Sequence, residues 1–324
     1  MVDGLVSTII PVHNRAGMLR EAVASVLAQT HRPIEILIVD DGSTDDTPLV
    51  ADQLAQSHPE EIRVIHQPNT GAGLAREAGR QAARGEFIQH LDSDDLLLPR
   101  KFELQVAGLR ANPECGVSYG KTRFYGRGET NAVGAWKRTG EEIPTMFPSF
   151  LESRWWGTST PLYRKQLLDL VGPWTSLRND EDWEYDCRIA SHNVRLHYVP
   201  SFVSEERHHD GARLSTGGTK NPLKLKDRAT AHALMFNHAQ RAGISQSDLE
   251  MRHFARALFL LSRQCGAAGL AEESKQLFAL AREASGQERG KGWDFRLYGF
   301  LARFAGWTRL AKVACYSDIL RHER

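Results

Sequence analysis

The apolar run Phe87-Ile-Gln-His-Leu91 carries straight into Asp92-Ser93-Asp94-Asp95, three carboxylates in four positions. The run is short and reads as a buried strand. Along an extended segment residues i and i+2 point the same way, so Asp92 and Asp94 face one side together. Two carboxylates held side by side repel, and burying either alone is costly. One solution is a hard divalent cation, which takes one or two carboxylates and completes its shell with water and substrate phosphates. The other is an acidic turn, with Asp95 near the start of a helix before Pro99. The first places a metal–diphosphate site at the carboxyl end of a strand, where open α/β sheets bind ligands.

The preceding chain alternates between two periods. Leu5 to Ile10 is rich in β-branched residues and reads as a first buried strand, stopped by Pro11-Val-His-Asn14. Ala16 to Gln29 has helical spacing, with Met18, Leu19, Val23, Val26 and Leu27 on one face. Ile34 to Val39 is a second strand, ending in the capping-rich loop Asp40-Asp-Gly-Ser-Thr-Asp45 before a helix through Leu54. Ile62 to His66 is a third, followed by the loop Asn69-Thr-Gly-Ala-Gly73 and an Ala-rich helix from Leu74 to Arg84. Strands alternating with helices at this spacing predict parallel βαβ units. Three loops at strand carboxyl ends then converge: residues 11–14, 40–45 and 92–95.

Beyond residue 100 the pattern loosens. Cys115 to Tyr119 and Val194 to Val199 read as strands, and 120–150 as a loop or hairpin excursion. Trp155-Trp156 is either core or a platform for stacking a sugar. Asn179-Asp-Glu-Asp-Trp183 opens an amphipathic helix to Ala190, whose acids Glu181 and Asp182 also suit an N-terminal dipole. Near Gly217-Gly218 the character changes, which divides the chain into domains 1–217 and 218–324. The second has helical patterns over about 224–241, 247–266, 270–284 and 293–320, with a helical hairpin turning at Gly269.

Composition excludes several classes. A net charge of +1 gives no case for nucleic-acid binding. Cys115, Cys187, Cys265 and Cys315 are far apart and read as reduced thiols. There is no signal-peptide pattern at the start, and no apolar run approaches the ~20 residues needed to span a bilayer. A cytoplasmic protein is expected, at most peripheral at the cytoplasmic membrane face. The segment 293–312 bears on that: Trp293, Phe295, Tyr298, Phe300, Phe304 and Trp307 are interleaved with Arg296, Arg303, Arg309 and Lys312. It is either an interfacial helix or one whose aromatic face packs on the first domain.

Over residues 5–215 the chain resembles the family 2 inverting glycosyltransferases, nucleotide-sugar enzymes of the GT-A fold. The resemblance rests on elements in order: Ser7-Thr-Ile-Ile-Pro-Val-His-Asn14, Val39-Asp-Asp-Gly-Ser-Thr-Asp45, Asn69-Thr-Gly, Ala75-Arg76, Gly79, Gly85-Glu86, Leu91-Asp-Ser-Asp-Asp95, Glu181-Asp182 and Arg207-x-His209. It implies an α/β, Rossmann-like, mostly parallel sheet with a C-terminal α-helical region. It implies that Asp41 binds the base, a carboxylate suiting the uracil N3–H, in a pocket lined by Pro11, His13 and Asn14. Arg76 then meets the diphosphate, Asp94 ligates Mg²⁺ or Mn²⁺, and Asp92 and Ser93 hold the ribose side or metal waters. His209 lies by the metal or diphosphate, and Asp182 is the general base. Trp155, Trp156 and Glu181 are candidates on the acceptor side. The implied partners are a UDP-sugar donor and a glycan or lipid-linked acceptor of cell-envelope polysaccharide synthesis. There are two departures: His13 where the family often has Tyr, and Glu77 after Arg76 where it often has Asn. Glu77 either alters phosphate contacts or faces solvent.

The rivals fit less well. Gly71-Ala-Gly73 resembles part of a dinucleotide loop, but Arg76 stands at the third glycine position and the motif does not follow the first strand. The Gly-rich first loop of a nucleotidyltransferase and the Gln-x-x-Arg-Trp of a processive synthase are absent. A non-catalytic binding module with a helical interaction tail is the alternative from another class.

Overall fold

A computed structural model describes residues 1–125, 134–207 and 221–322. The described chain forms two compact units. One lies within Met1–Met146, Arg154–Ser176 and His192–Gly211, the other within Phe147–Ser153, Leu177–Ser191 and Ala212–Arg324.

The first unit is built on one eight-stranded sheet. Strands β1 (Val2–Val12), β2 (Ile34–Asp41), β3 (Ile62–Gln67) and β4 (Gly85–His90) are parallel. Helices α1 (Ala16–Leu27), α2 (Thr47–Ser57) and α3 (Ala72–Ala82) connect them. All of β2 is buried, as expected for a parallel strand covered on both faces. The sheet becomes mixed beyond β4. There β7 (Leu162–Arg164) pairs antiparallel with β4 and with β6 (Cys115–Tyr125). Strand β8 (Arg195–Arg207) runs parallel to β6, and the short β5 (Leu96–Leu97) edges it antiparallel. The order is β3-β2-β1-β4-β7-β6-β8-β5. Helices α4 (Lys101–Ala111) and α5 (Lys165–Val171) complete the unit.

A buried carboxylate locks the amino end of this sheet. Glu35 on β2 accepts from Ser7 Oγ on β1 at 2.5 Å, and from the Arg84 backbone at 2.7 Å. It also pairs with Arg63 at 3.0 Å and Arg84 at 2.9 Å. Burial pushes its pKa up, but these hydrogen bonds and charges outweigh that and leave it below the ordinary value. The Gly85 N–H donates to the same Ser7 hydroxyl at 2.8 Å.

The second unit is helical. A turn at Ser149–Leu151 and helix α6 (Glu181–Ala190) join α7 (Pro222–Arg241), α8 (Leu249–Ala267), α9 (Ala271–Ala284), α10 (Gly286–Arg289), α11 (Trp293–Ala305) and α12 (Trp307–His322). Asn221 caps α7, its side chain accepting from the Leu223 N–H at 2.9 Å, with Pro222 at the first position. The expected hairpin is α8 and α9, turning at Gly269, whose φ of 90° needs a residue without Cβ. The expected helix over 293–320 is two helices, broken at Gly306 with φ 84°. Residues 147–153 and 177–191 group with these helices rather than with the sheet, unlike a boundary at 217.

Gly85→Ala tests the seam between β1 and β4. An added Cβ would lie 2.6 Å from the Leu5 carbonyl and 2.5 Å from Ser7 Oγ. The change is expected to destabilise the fold by about 1–3 kcal/mol, as forced overpacking does. Urea denaturation of the variant measures it.

Candidate active site

Loops at the carboxyl ends of β1, β2 and β4 do converge. Asn14, at a left-handed φ of 53° that Asn tolerates, laces the first loop to the second. Its N–H donates to Ser43 Oγ at 3.0 Å, and its Oδ1 accepts from the Thr44 N–H at 2.7 Å. His13 lies 3.0 Å from the Asp41 carbonyl, while Pro11 is buried within β1 opposite Val39. Asp41 holds the loop after β3. One of its oxygens accepts from the Thr70 N–H and Gln67 Nε2, each at 2.8 Å, and the other from the Gly71 N–H at 2.8 Å. Sequence reasoning saw this residue only as a base ligand.

The acidic motif is paired from two sides. Asp92 accepts from Arg76 of α3 at 2.7 Å, and Asp94 from Arg15 of the first loop at 2.6 Å. Arg76 is buried and lies over the Trp174 ring, 5.0 Å from its centre. Buried His90 packs edge-on against the same ring, and burial together with the charge of Arg76 pushes its pKa well down. It stays neutral and leaves the guanidinium to Asp92. Ser93 is buried. So is Asp95, which accepts from Ser159 Oγ at 2.8 Å and the Arg207 N–H at 3.3 Å. Ser159 Oγ also accepts from the Asp92 N–H at 3.3 Å, so one hydroxyl spans the motif. Arg15, Ser159 and Trp174 were not singled out from sequence. Arg15 follows directly on the Pro-Val-His-Asn motif, which was the available signal; the other two carried none.

Burial, then the charges of Asp92, Glu206 and Asp94, push the Asp95 pKa well up. Among the described residues no group of three His, Cys, Asp or Glu side chains suits a cation by itself. A cation shared between these carboxylates and substrate phosphates fits such a donor set; a protein-only cage does not.

In the second unit, Asp182 and Glu181 stand in the first turn of α6, with Glu181 buried. The Asp182 carboxylate accepts from the N–H of Trp183 at 2.7 Å. Helix α7 braces this turn. Asp180 pairs with Arg228 at 3.2 Å, the Arg178 N–H donates to Asp227 at 3.0 Å, and buried Glu184 bonds buried His238 at 2.8 Å.

Some expectations need correction. Trp155 and Trp156 are each 0% exposed, packed on one another and on Tyr119, so they are core and offer no sugar platform. Glu77 neither meets solvent nor points to a phosphate; it is buried, paired with Arg80 at 2.8 Å and accepting from the Trp174 N–H at 3.3 Å. His209 lies outside the described residues.

Residues 7–167 match the family model of glycosyl transferase family 2. The chain belongs to that family. An uncharacterized glycosyltransferase of Nostoc is 45% identical over 114 residues, 35% of either chain. The uncharacterized glycosyltransferase YibD of Escherichia coli is 37% identical over 97 residues, 30% of this chain and 28% of that one. The chain thus matches about a third of the length of these relatives. Among solved structures, Staphylococcus aureus TarS 1–349 in complex with UDP superposes with a TM-score of 0.65 at 19% identity, covering 98% of this chain and 92% of that one. The mannosyltransferase PcManGT of Pyrobaculum calidifontis, in complex with GDP-Man and Mn²⁺, gives 0.56 at 19%, covering 98% and 88%. These likenesses establish the fold, GT-A with a C-terminal helical region.

The brace on α6 of this family 2 protein makes its own prediction. Burial raises the Glu184 pKa, but hydrogen bonds from His238 and Arg188 outweigh it and hold the pKa low. A depressed carboxylate stabilises above its ordinary value and loses that contribution as pH falls below about 4.3. His238→Ala is expected to cost about 2–3 kcal/mol at neutral pH, since a buried carboxylate loses a partner. Urea titrations at falling pH should show the deficit shrinking as Glu184 protonates.

Proposed function

We propose that this family 2 glycosyltransferase moves a hexose from a nucleoside diphosphate sugar, a UDP-sugar, to a hydroxyl of a saccharide or lipid-linked glycan. The reaction is non-processive, inverts the anomeric centre and serves cell-envelope polysaccharide synthesis. The observation that carries this reading is the doubly paired motif, Arg76 on Asp92 and Arg15 on Asp94, at the carboxyl end of β4. It sets cations and carboxylates together where a diphosphate and a divalent ion need both. The complexes of TarS with UDP and UDP-GlcNAc, and of PcManGT with GDP-Man and Mn²⁺, support a nucleotide-sugar donor.

In this reading His13, Asn14 and Asp41 line the base pocket beside Pro11, with Asp41 accepting the uracil N3–H. Arg76 takes diphosphate oxygens with its guanidinium fork. Asp92 and Asp94 hold Mg²⁺ or Mn²⁺ with the donor, joined by His209; Asp92 and Ser93 also border the ribose. The bound cation supplies positive charge to the leaving diphosphate. Asp182 accepts the proton of the acceptor hydroxyl as its oxygen bonds the anomeric carbon and the bond to the diphosphate breaks. Glu181 faces the acceptor side of the same turn. A single displacement converts an α-linked donor into a β-linked product.

Screening donors for released nucleoside diphosphate, with Mg²⁺, Mn²⁺ or EDTA, tests the reading. Asp94→Asn should abolish metal-dependent turnover while the fold survives; full activity of that variant in EDTA would remove the metal from the scheme. Asp182→Asn should lower turnover by roughly 10²–10⁴ with donor binding kept, the range for loss of a general base. Lost donor binding with high residual turnover would make Asp182 only a structural cap.

A further inference from the structure

Helix α11 is apolar on two opposite faces. Phe295 and Ala302 are buried, and Phe295 and Tyr298 pack on Phe259 of α8 and Phe278 of α9. The aromatic residues of this segment are therefore divided, not gathered on one face. Trp293, Leu297, Phe300, Leu301 and Phe304 recur at the i, i+4, i+7, i+8, i+11 spacing that marks one helical stripe. Their exposures are 77, 47, 58, 40 and 78%. The stripe points away from the face buried against α8 and α9. A helix apolar all round is ordinarily enclosed, and large exposed apolar patches mark interaction sites.

Charge selects the occupant. From Lys291 to Cys315 there are five basic residues, Lys291, Arg296, Arg303, Arg309 and Lys312, and one acid, Asp294. All five are exposed, while Asp294 is bound to Arg289 at 2.6 Å. Arg296 and Arg303 flank the stripe one turn-step to the side. A second copy of the chain seated on this face would bring its cations against these, which like charges disfavour. An anionic partner has the opposite sign. No described helix is long and apolar enough to cross a membrane. Aromatic side chains rimmed by Lys and Arg suit the boundary between headgroups and acyl chains.

We infer that the outer stripe of α11, with the basic residues of α11 and α12, seats the protein on an anionic lipid surface. Trp293, Phe300 and Phe304 enter the headgroup–acyl boundary, and Arg296, Arg303 and Lys312 meet lipid phosphates. The second unit then anchors the chain beside acceptors held in a bilayer. The binding is independent of the transfer chemistry, so loss of one leaves the other measurable.

Sedimentation of the full chain with phosphatidylcholine vesicles, with and without added phosphatidylglycerol, tests this. Binding is expected only with phosphatidylglycerol, and should weaken as salt rises. The variant W293S/F300S/F304S should lower partitioning at least about ten-fold, with an unchanged thermal midpoint because the side chains are exposed. R296Q/R303Q/K312Q should lower it by about 100-fold at low salt, at about five-fold per charge. No sedimentation of the parent chain with phosphatidylglycerol vesicles overturns the inference, as does equal binding by both variants. If the aromatic variant fails to fold, the charge variant decides alone. A dimer in light scattering that W293S/F300S/F304S dissociates, without vesicle binding, assigns the face to a second copy instead.

Discussion

Two ion pairs govern this site, because a buried strand that ends in carboxylates cannot leave them unpaired. Strand β4 ends at His90 and the chain then turns over residues 92–95, the Asp95 N–H donating to the Asp92 carbonyl at 3.0 Å. The i and i+2 rule of an extended segment does not apply there, and the charge must be met from neighbouring elements. The parallel layout meets it. The loop after β1 brings Arg15 to Asp94, and α3, which precedes β4, brings Arg76 to Asp92. Both arginines depend on the sheet order, since β1 lies beside β4. The Glu35 lock at the other end of those strands fixes that register. Asp95, the last acid of the motif, receives hydrogen bonds from Ser159 and the Arg207 N–H, and burial first, then the neighbouring carboxylates, push its pKa well up.

The helical unit has a parallel logic. Asp182 sits in a turn with three neighbours tied to α7: Arg178 through Asp227, Asp180 through Arg228, Glu184 through His238. Asp180 itself has a left-handed φ of 57°, a conformation costly enough to need such bracing. Helix α7 thus has a local task irrespective of any partner: it braces the first turn of α6.

What was legible in the sequence follows from signal length. Strands β1 to β4 and α1 to α3 were readable because each carries enough residues to show its period, and the loops after β1, β2 and β4 follow from them. Strands β5 and β7, of two and three residues, carry no period. Helix α4 hides its amphipathic pattern, since Lys101 and Gln105 stand on its buried face. Motif residues were found where they stand next to one another, as Asp92 and Asp94 do. Ser159 and Trp174 escaped because only the folded chain brings them to the motif. Trp155-Trp156 could be core or platform on sequence alone, and only burial decides. The α11 aromatics were read as one face, yet spacing at i+7 and i+11 from Trp293 already separates Phe300 and Phe304 from Phe295 and Tyr298.

The two pairs are unequal, which bears on how a cation would enter under the proposed reading. Arg76 is 5% exposed at its side chain and lies over Trp174, so its guanidinium has no room to withdraw. Its carboxylate partner Asp92 is 32% exposed. Arg15 is 23% exposed and stands on a loop, while its partner Asp94 is the more enclosed carboxylate. A partner that can swing into water yields to a stronger competitor, whereas one clamped on a ring does not. Under that reading Asp94 would exchange its guanidinium for the cation, while Asp92 would meet the same cation with Arg76 still beside it for the diphosphate. One turn holds both carboxylates; under that reading the difference in their arginines would give them different work.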